Sequence, residues 1–208
     1  MNDKLVYSDI FKTAWKGLKT QFWLLVGLII GFTIVSSLLI IFATPAKGES
    51  VEISDVVVLI LGFLLFCLFL MGYLKNCVQT LEEEEPQFSS YGQVSRILLS
   101  FIVMYLLFEV IVLIGTALLI IPGVYLFLRL QFCFMSMVDE NTGIIESLKR
   151  SWSITKGYSL QLFILALIMI LIFFIGCVAL FAGIFIAIPL MILMYVYSYR
   201  KLTAPSAE

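Results

Sequence analysis

From residue 157 to residue 199 the chain carries no charged side chain. From 97 to 138 it carries only two, Glu109 and Arg129. Each run is about twice the ~20 apolar residues that cross the hydrocarbon core of a bilayer as a helix. A soluble domain, with charged residues near 25%, does not leave stretches of this length bare. Here hydrophobic residues make up 62% of the chain and charged residues 13%. The expected fold is therefore all-α: a polytopic membrane protein, read as one helical membrane domain over residues 1–208.

Six spans follow, at about 22–42, 56–74, 97–121, 124–138, 158–179 and 183–199. In the third and fourth, Pro122 and Gly123 supply the turn, a fixed φ beside a residue that tolerates φ > 0. In the last pair the turn falls near 179–183, and Pro189 kinks the final helix. The first run is too long for the core of a cleavable leader and reads as an uncleaved span.

With six crossings, both ends lie on one side. Lys4, Lys12, Lys16, Lys19, Lys75, Arg96, Lys149, Arg150, Lys156, Arg200 and Lys201 share that side. Only Lys47 falls on the other, and Arg129 is inside a span. The excess of basic residues predicts that both termini are cytoplasmic.

Each pair of spans is preceded by a related segment, beginning at Ser8, Phe88 and Gly143. The first and third align Trp15 with Trp152, Lys12 with Lys149 and Lys19 with Lys156. The chain reads as three tandem units, each an interfacial segment followed by a hairpin. In the first, residues 2–20, Ile10, Ala14 and Leu18 oppose Lys12, Lys16 and Lys19, the pattern of a helix in the headgroup layer. In the third, Ile145, Leu148 and Trp152 oppose Lys149, Arg150 and Lys156. The headgroup-facing residues are thus Lys12, Lys16, Lys19, Lys149 and Arg150. The plainer reading is that these helices set topology and pack on the bundle.

The stretch from Ile121 to Gly157 resembles a signature of one bacterial membrane-domain family. The matching residues are Pro122, Gly123, Tyr125, Arg129, Asp139, Glu140, Gly143, Ser147, Leu148, Ser151, Lys156 and Gly157. That family is found fused to some glycerophosphodiester phosphodiesterases, and as stand-alone YciC-like inner-membrane proteins. The resemblance implies a helical membrane domain in a bacterial cytoplasmic (inner) membrane, with no settled activity. The acidic run from Glu82 to Glu85 departs from the pattern. It is either a solvated loop favouring a following helix N-terminus, or a place to hold a cation or dock a basic partner.

Chemistry is sparse. The sequence has no histidine, no G-x-S-x-G and no phosphate-binding loop. Cys67, Cys77, Cys133 and Cys177 lie in or beside apolar runs, where cysteine packs as a small hydrophobe. Cys133, Met135 and Met137 form a soft trio that Cu(I) prefers, yet these are ordinary fillers of apolar helices. Gly27 with Gly31, and Ala179, Gly183 and Ala187, have the spacing that brings helices close. No enzyme, cofactor or metal site is expected. Membrane lipids are the expected partners, with room for a membrane-protein partner and none for nucleic acid. The function expected is an accessory or lipid-interacting envelope module. The alternative is a small transporter, exporter or immunity-type protein handling an amphiphile, with Gln131, Gln161, Glu109 and Arg129 as its embedded polar residues; an intramembrane enzyme comes last.

Arg129 is the anomaly. A charge at mid-membrane costs from about 3 kcal/mol to well over 10, so it needs a partner. Glu109, on the preceding helix, is the expected one, as an intramembrane ion pair that latches the hairpin. Snorkelling, or a polar partner such as Gln161, are the alternatives.

Overall fold

A computed structural model describes residues 5–44, 52–179 and 183–204. No strand occurs among the described residues. The helices are α1 (Tyr7–Thr20), α2 (Phe22–Ala43), α3 (Ile53–Leu81), α4 (Ser89–Val94), α5 (Leu98–Leu118), α6 (Ile120–Leu130), α7 (Cys133–Asp139), α8 (Ile144–Ile154), α9 (Ser159–Val178) and α10 (Ile184–Thr203). A 3-10 turn, Ser95–Ile97, joins α4 to α5. Among the described residues six stretches are long and apolar enough to cross a bilayer: α2, α3, α4 through α5, α6 through α7, α9 and α10. The chain is an all-α, polytopic integral membrane protein.

The spans pair in chain order, α2 against α3, α5 against α6 and α9 against α10. A short helix precedes each pair: α1, α4 and α8. The link between α2 and α3, residues 45–51 with Lys47, lies outside the described residues. The second hairpin turns three residues before the expected Pro122-Gly123. Leu119 alone is extended, with φ −165° and ψ 145°, and α6 already includes Pro122 and Gly123. Proline fits the first helical turn, where its missing N–H has no helical partner to lose. Gly123 is not at positive φ. It is needed for space, because a Cβ there would stand 2.7 Å from Thr116 Cα and 2.8 Å from Thr116 N. The third hairpin uses the same device: a Cβ on Gly176 would stand 2.9 Å from the Gly183 carbonyl oxygen. By contrast, nothing lies within 4 Å of a Cβ built on Gly27 or Gly31. Their expected role in close internal packing is not what the fold uses.

The amphipathic pattern of α1 divides its surface three ways. Ile10, Ala14 and Leu18 are fully buried, packed on α10 and α3 rather than on lipid. The extension of α3 beyond residue 74 supplies this wall, with Cys77 and Val78 buried. Phe11 and Trp15 stay partly exposed and stack at 6.2 Å. On the third face Lys12 is exposed, and Lys19 lies 5.5 Å from the Trp15 ring. Lys16 is drawn aside, 2.9 Å from Glu83. Glu82 pairs with Arg200 and Asp9 with Lys201. The acidic run therefore ties the end of α3 to α1 and α10. The Lys201 ammonium, hydrogen-bonded to Asp9, holds that carboxyl below its ordinary range, and Lys16 does the same to Glu83. Cys133, Met135 and Met137 are all buried in the core.

Candidate functional site

The fourth span is not continuous. Gln131 and Phe132 interrupt it between α6 and α7. Such a break releases backbone groups that a membrane interior cannot hydrate, so protein must satisfy them. The Gln131 side-chain amide donates to the Leu128 carbonyl at 3.2 Å. The Tyr195 hydroxyl, from α10, donates to the Gln131 carbonyl at 2.6 Å. The Ser151 hydroxyl, from α8, donates to the Arg129 carbonyl at 2.9 Å and accepts from the Phe132 N–H at 3.1 Å. Thr155 Oγ1 lies 3.1 Å from the same Arg129 carbonyl. The buried face of α8 is thus polar, with Ser147, Ser151 and Thr155 on one side of the helix. Its apolar residues Ile145 and Trp152 are partly exposed.

This stitching fixes where Arg129 points. Its residue is 3% exposed. The guanidinium carbon lies 4.3 Å from the centre of the Trp152 ring and 5.9 Å from that of Tyr125. Both distances are within reach of a cation–π contact. Trp152 and Tyr125 meet edge to face at 6.1 Å, so the two rings form a corner around the cation. Arg129 Nε is buried without a hydrogen-bond partner. The ion pairs among the described residues do not include Arg129.

The expected Glu109–Arg129 pair is therefore not made. Depth is not the reason: Gly115 abuts Gly123, and the Phe108 and Phe127 rings lie 6.0 Å apart, which sets Glu109 level with Arg129. Rotation is the reason. Phe127 is the α6 side chain that faces α5, and Arg129, two residues on, lies about 200° round the helix. It faces α8. Glu109 is exposed on α5, beside Tyr105. Gln161 is not the partner either: its buried Oε1 has none.

Arg129 opens onto a cavity of about 690 Å³, lined among others by Tyr125, Lys149, Trp152, Ser153, Lys156 and Ser159. Among the described residues three cations line it and no carboxylate does. The cavity joins the middle of the fourth span to the start of α9, a buried floor with a polar rim. Gly157 lies at φ 86°, a conformation that favours glycine and reverses the chain directly after Lys156.

Most of the motif residues serve this one place. Pro122 starts α6 and Gly123 packs it on α5. Tyr125, Arg129, Lys156 and Gly157 line the cavity. Gly143 caps α8, its carbonyl accepting from the Ser147 N–H at 2.8 Å. The hydroxyls of Ser136, Thr142 and Ser147 are chained at 3.0 and 2.6 Å, tying α7 to α8. Glu140 accepts from Arg150 Nε and Nη2, each at 3.2 Å, and from the Tyr199 hydroxyl. Asp139 pairs with Lys75 at 3.6 Å. Of the headgroup-facing residues expected on α8, Lys149 lines the cavity, whereas Arg150 is turned to Glu140. Sequence reasoning missed Trp152 as the partner of Arg129. The only signal was a tryptophan beside the Ser-rich face of an amphipathic helix.

No family model matches this chain, and no solved structure does. Among curated proteins, the uncharacterised protein Rv2560 of Mycobacterium tuberculosis H37Rv is 31% identical over 165 residues. The match covers 77% of this chain and 48% of that protein. The uncharacterised protein Mb2590 of Mycobacterium bovis gives the same identity and coverage. The chain spans about half the length of the curated relatives it matches.

Proposed function

We propose that this chain is a non-catalytic accessory module of a bacterial inner membrane that holds the anionic headgroup of a membrane amphiphile in the Arg129 cavity. The observation that carries this reading is the cavity's charge: Arg129, Lys149 and Lys156 without a lining carboxylate. A buried guanidinium with an unpartnered Nε has hydrogen bonds to give, and anions are what it gives them to. The position between a span and a partly exposed aromatic on α8 suits a ligand with an apolar tail. The same reading takes the chain as a member of the membrane-domain family that its motif resembles.

The test is lipid binding by the purified full-length chain in detergent. Anionic phospholipid should bind in preference to phosphatidylcholine. Arg129→Gln and Lys156→Gln should each lower that binding about tenfold, the scale of one charge-assisted contact. Equal binding of both lipids would sink the reading. Turnover of the lipid, lost on replacing a carboxylate, would sink its non-catalytic half.

Transfer of the amphiphile between leaflets is the second reading. One observation favours it: an apolar cavity of about 490 Å³ lies on the opposite face of α6, lined by Phe127, Phe132, Leu165 and Met191 among others. Its size is in the range of small-ligand sites.

A further inference from the structure

We propose, resting on the binding reading above, that the headgroup held at Arg129 is a phosphate monoester carried on an amphiphile, not a phosphodiester or a carboxylate. The first argument is charge. Three cations line the cavity, and a phosphodiester or carboxylate brings a single negative charge to them. A phosphate monoester brings about 1.5 to 2 at pH 7, because its second proton leaves near pH 6. Arg129 is buried and Lys149 and Lys156 stand at the exposed rim, so a doubly charged headgroup gains more from the three together than a singly charged one does.

The second argument is the way Arg129 is presented. One face of its guanidinium is taken by Trp152 at 4.3 Å. Its N–H donors lie in the guanidinium plane, along the edge of the group. That edge matches two oxygens of one phosphate. Lys149 and Lys156 act as point charges towards the remaining oxygens. The Ser153 and Ser159 hydroxyls are further donors in the lining.

The neighbouring elements add no competing acid. On α8 the one carboxylate, Glu146, is outside the lining. On α5, which packs on both α6 and α8, the one carboxylate is Glu109, level with Arg129 but rotated away. The α9 residue in the lining is Ser159, and α9 has no charge. Glu140 is engaged by Arg150 and Tyr199. The ligand is what titrates. Binding therefore strengthens as pH rises through its second ionisation, and a proton is released on binding at low pH.

The full-length chain in detergent is titrated with phosphatidic acid, phosphatidylglycerol and phosphatidylcholine at pH 5.0 and 7.5. The expected result is phosphatidic acid about tenfold tighter than phosphatidylglycerol at pH 7.5, shrinking to about twofold at pH 5.0. Lys149→Gln, an exposed rim substitution that leaves the core intact, should erase most of the preference. Lys12→Gln, on the separate basic face of α1, should not. Equal affinity for the two anionic lipids overturns the monoester assignment while the binding reading stands. No preference for either over phosphatidylcholine overturns both. Equal loss with Lys12→Gln assigns the preference to general surface charge and overturns it too. Displacement of phosphatidic acid by glycerol 3-phosphate at matched concentration overturns the amphiphile half, assigning the site to a soluble phosphate ester.

Discussion

Arg129 can be held by charge or by its flat face, and the two predict different substitutions. Here the contact is with Trp152 and Tyr125. A desolvated cation–π contact contributes up to about 2 kcal/mol, and it uses the planar group. Arg129→Lys keeps the charge yet loses the fork and most of the stacking. Arg129→Lys and Trp152→Leu are therefore expected to lower the thermal midpoint in detergent by similar amounts, while Glu109→Gln leaves it unchanged. A drop with Glu109→Gln as large as with Arg129→Gln would restore the ion pair. The sequence made Arg129 conspicuous, since it is one of two charges in a long apolar run. It could not identify the partner. Opposite charge on the adjacent helix pointed to Glu109, and the depth was right. The rotation of α6 depends on Phe127 packing against Phe108, and nothing in the local pattern marks which apolar residue wins that contact.

The hairpins were legible as elements because length and apolarity specify a span almost alone. Their close contacts were less so. Pro122 and Gly123 look like a turn, but a proline in the first turn of a helix carries the same letters. Whether a glycine serves φ or space is settled by what lies against it. A methyl group on Gly123 would meet the Thr116 backbone at under 3 Å, whereas one on Gly27 would meet nothing within 4 Å. Gly123→Ala must push α5 and α6 apart, an overpacking cost of about 1–3 kcal/mol. It is expected to lower folded yield and thermal midpoint measured by fluorescence-detected size exclusion, with Gly27→Ala matching the parent. Indistinguishable behaviour of the two would mean the hairpin does not depend on the close approach. The interfacial helices were legible by period, and α1 follows the plainer reading, packing on the bundle. Full burial of Ile10 and Leu18 contributes about 1.5–3 kcal/mol each, against at most about 1 kcal/mol for the exposed Asp9–Lys201 pair. Apolar contact with α10 therefore decides where α1 sits, while Phe11 and Trp15 stay partly exposed.

Across the whole molecule, α1, α4 and α8 and the C-terminal end of α10 lie at one end of the six spans, because each hairpin returns the chain to the side it left. That end holds Lys12, Lys16, Lys19, Lys75, Arg96, Lys149, Arg150, Lys156, Arg200 and Lys201 among the described residues. Several are partly neutralised by Asp9, Glu82, Glu83, Asp139 and Glu140. The positive-inside rule counts lysine and arginine near the spans and gives acids little weight, so these pairs leave the orientation unaltered. The expected outcome is that both termini face the cytoplasm, which also puts the rim of the Arg129 cavity at the inner leaflet. A phosphatase reporter after residue 47 and a fluorescent reporter after residue 208 should both be active, each being functional only on its expected side of the membrane. If the two positions report the same side, the span count is wrong. If both report the reverse, the cavity opens to the outer leaflet, and an amphiphile made on the cytoplasmic side could reach it only after crossing.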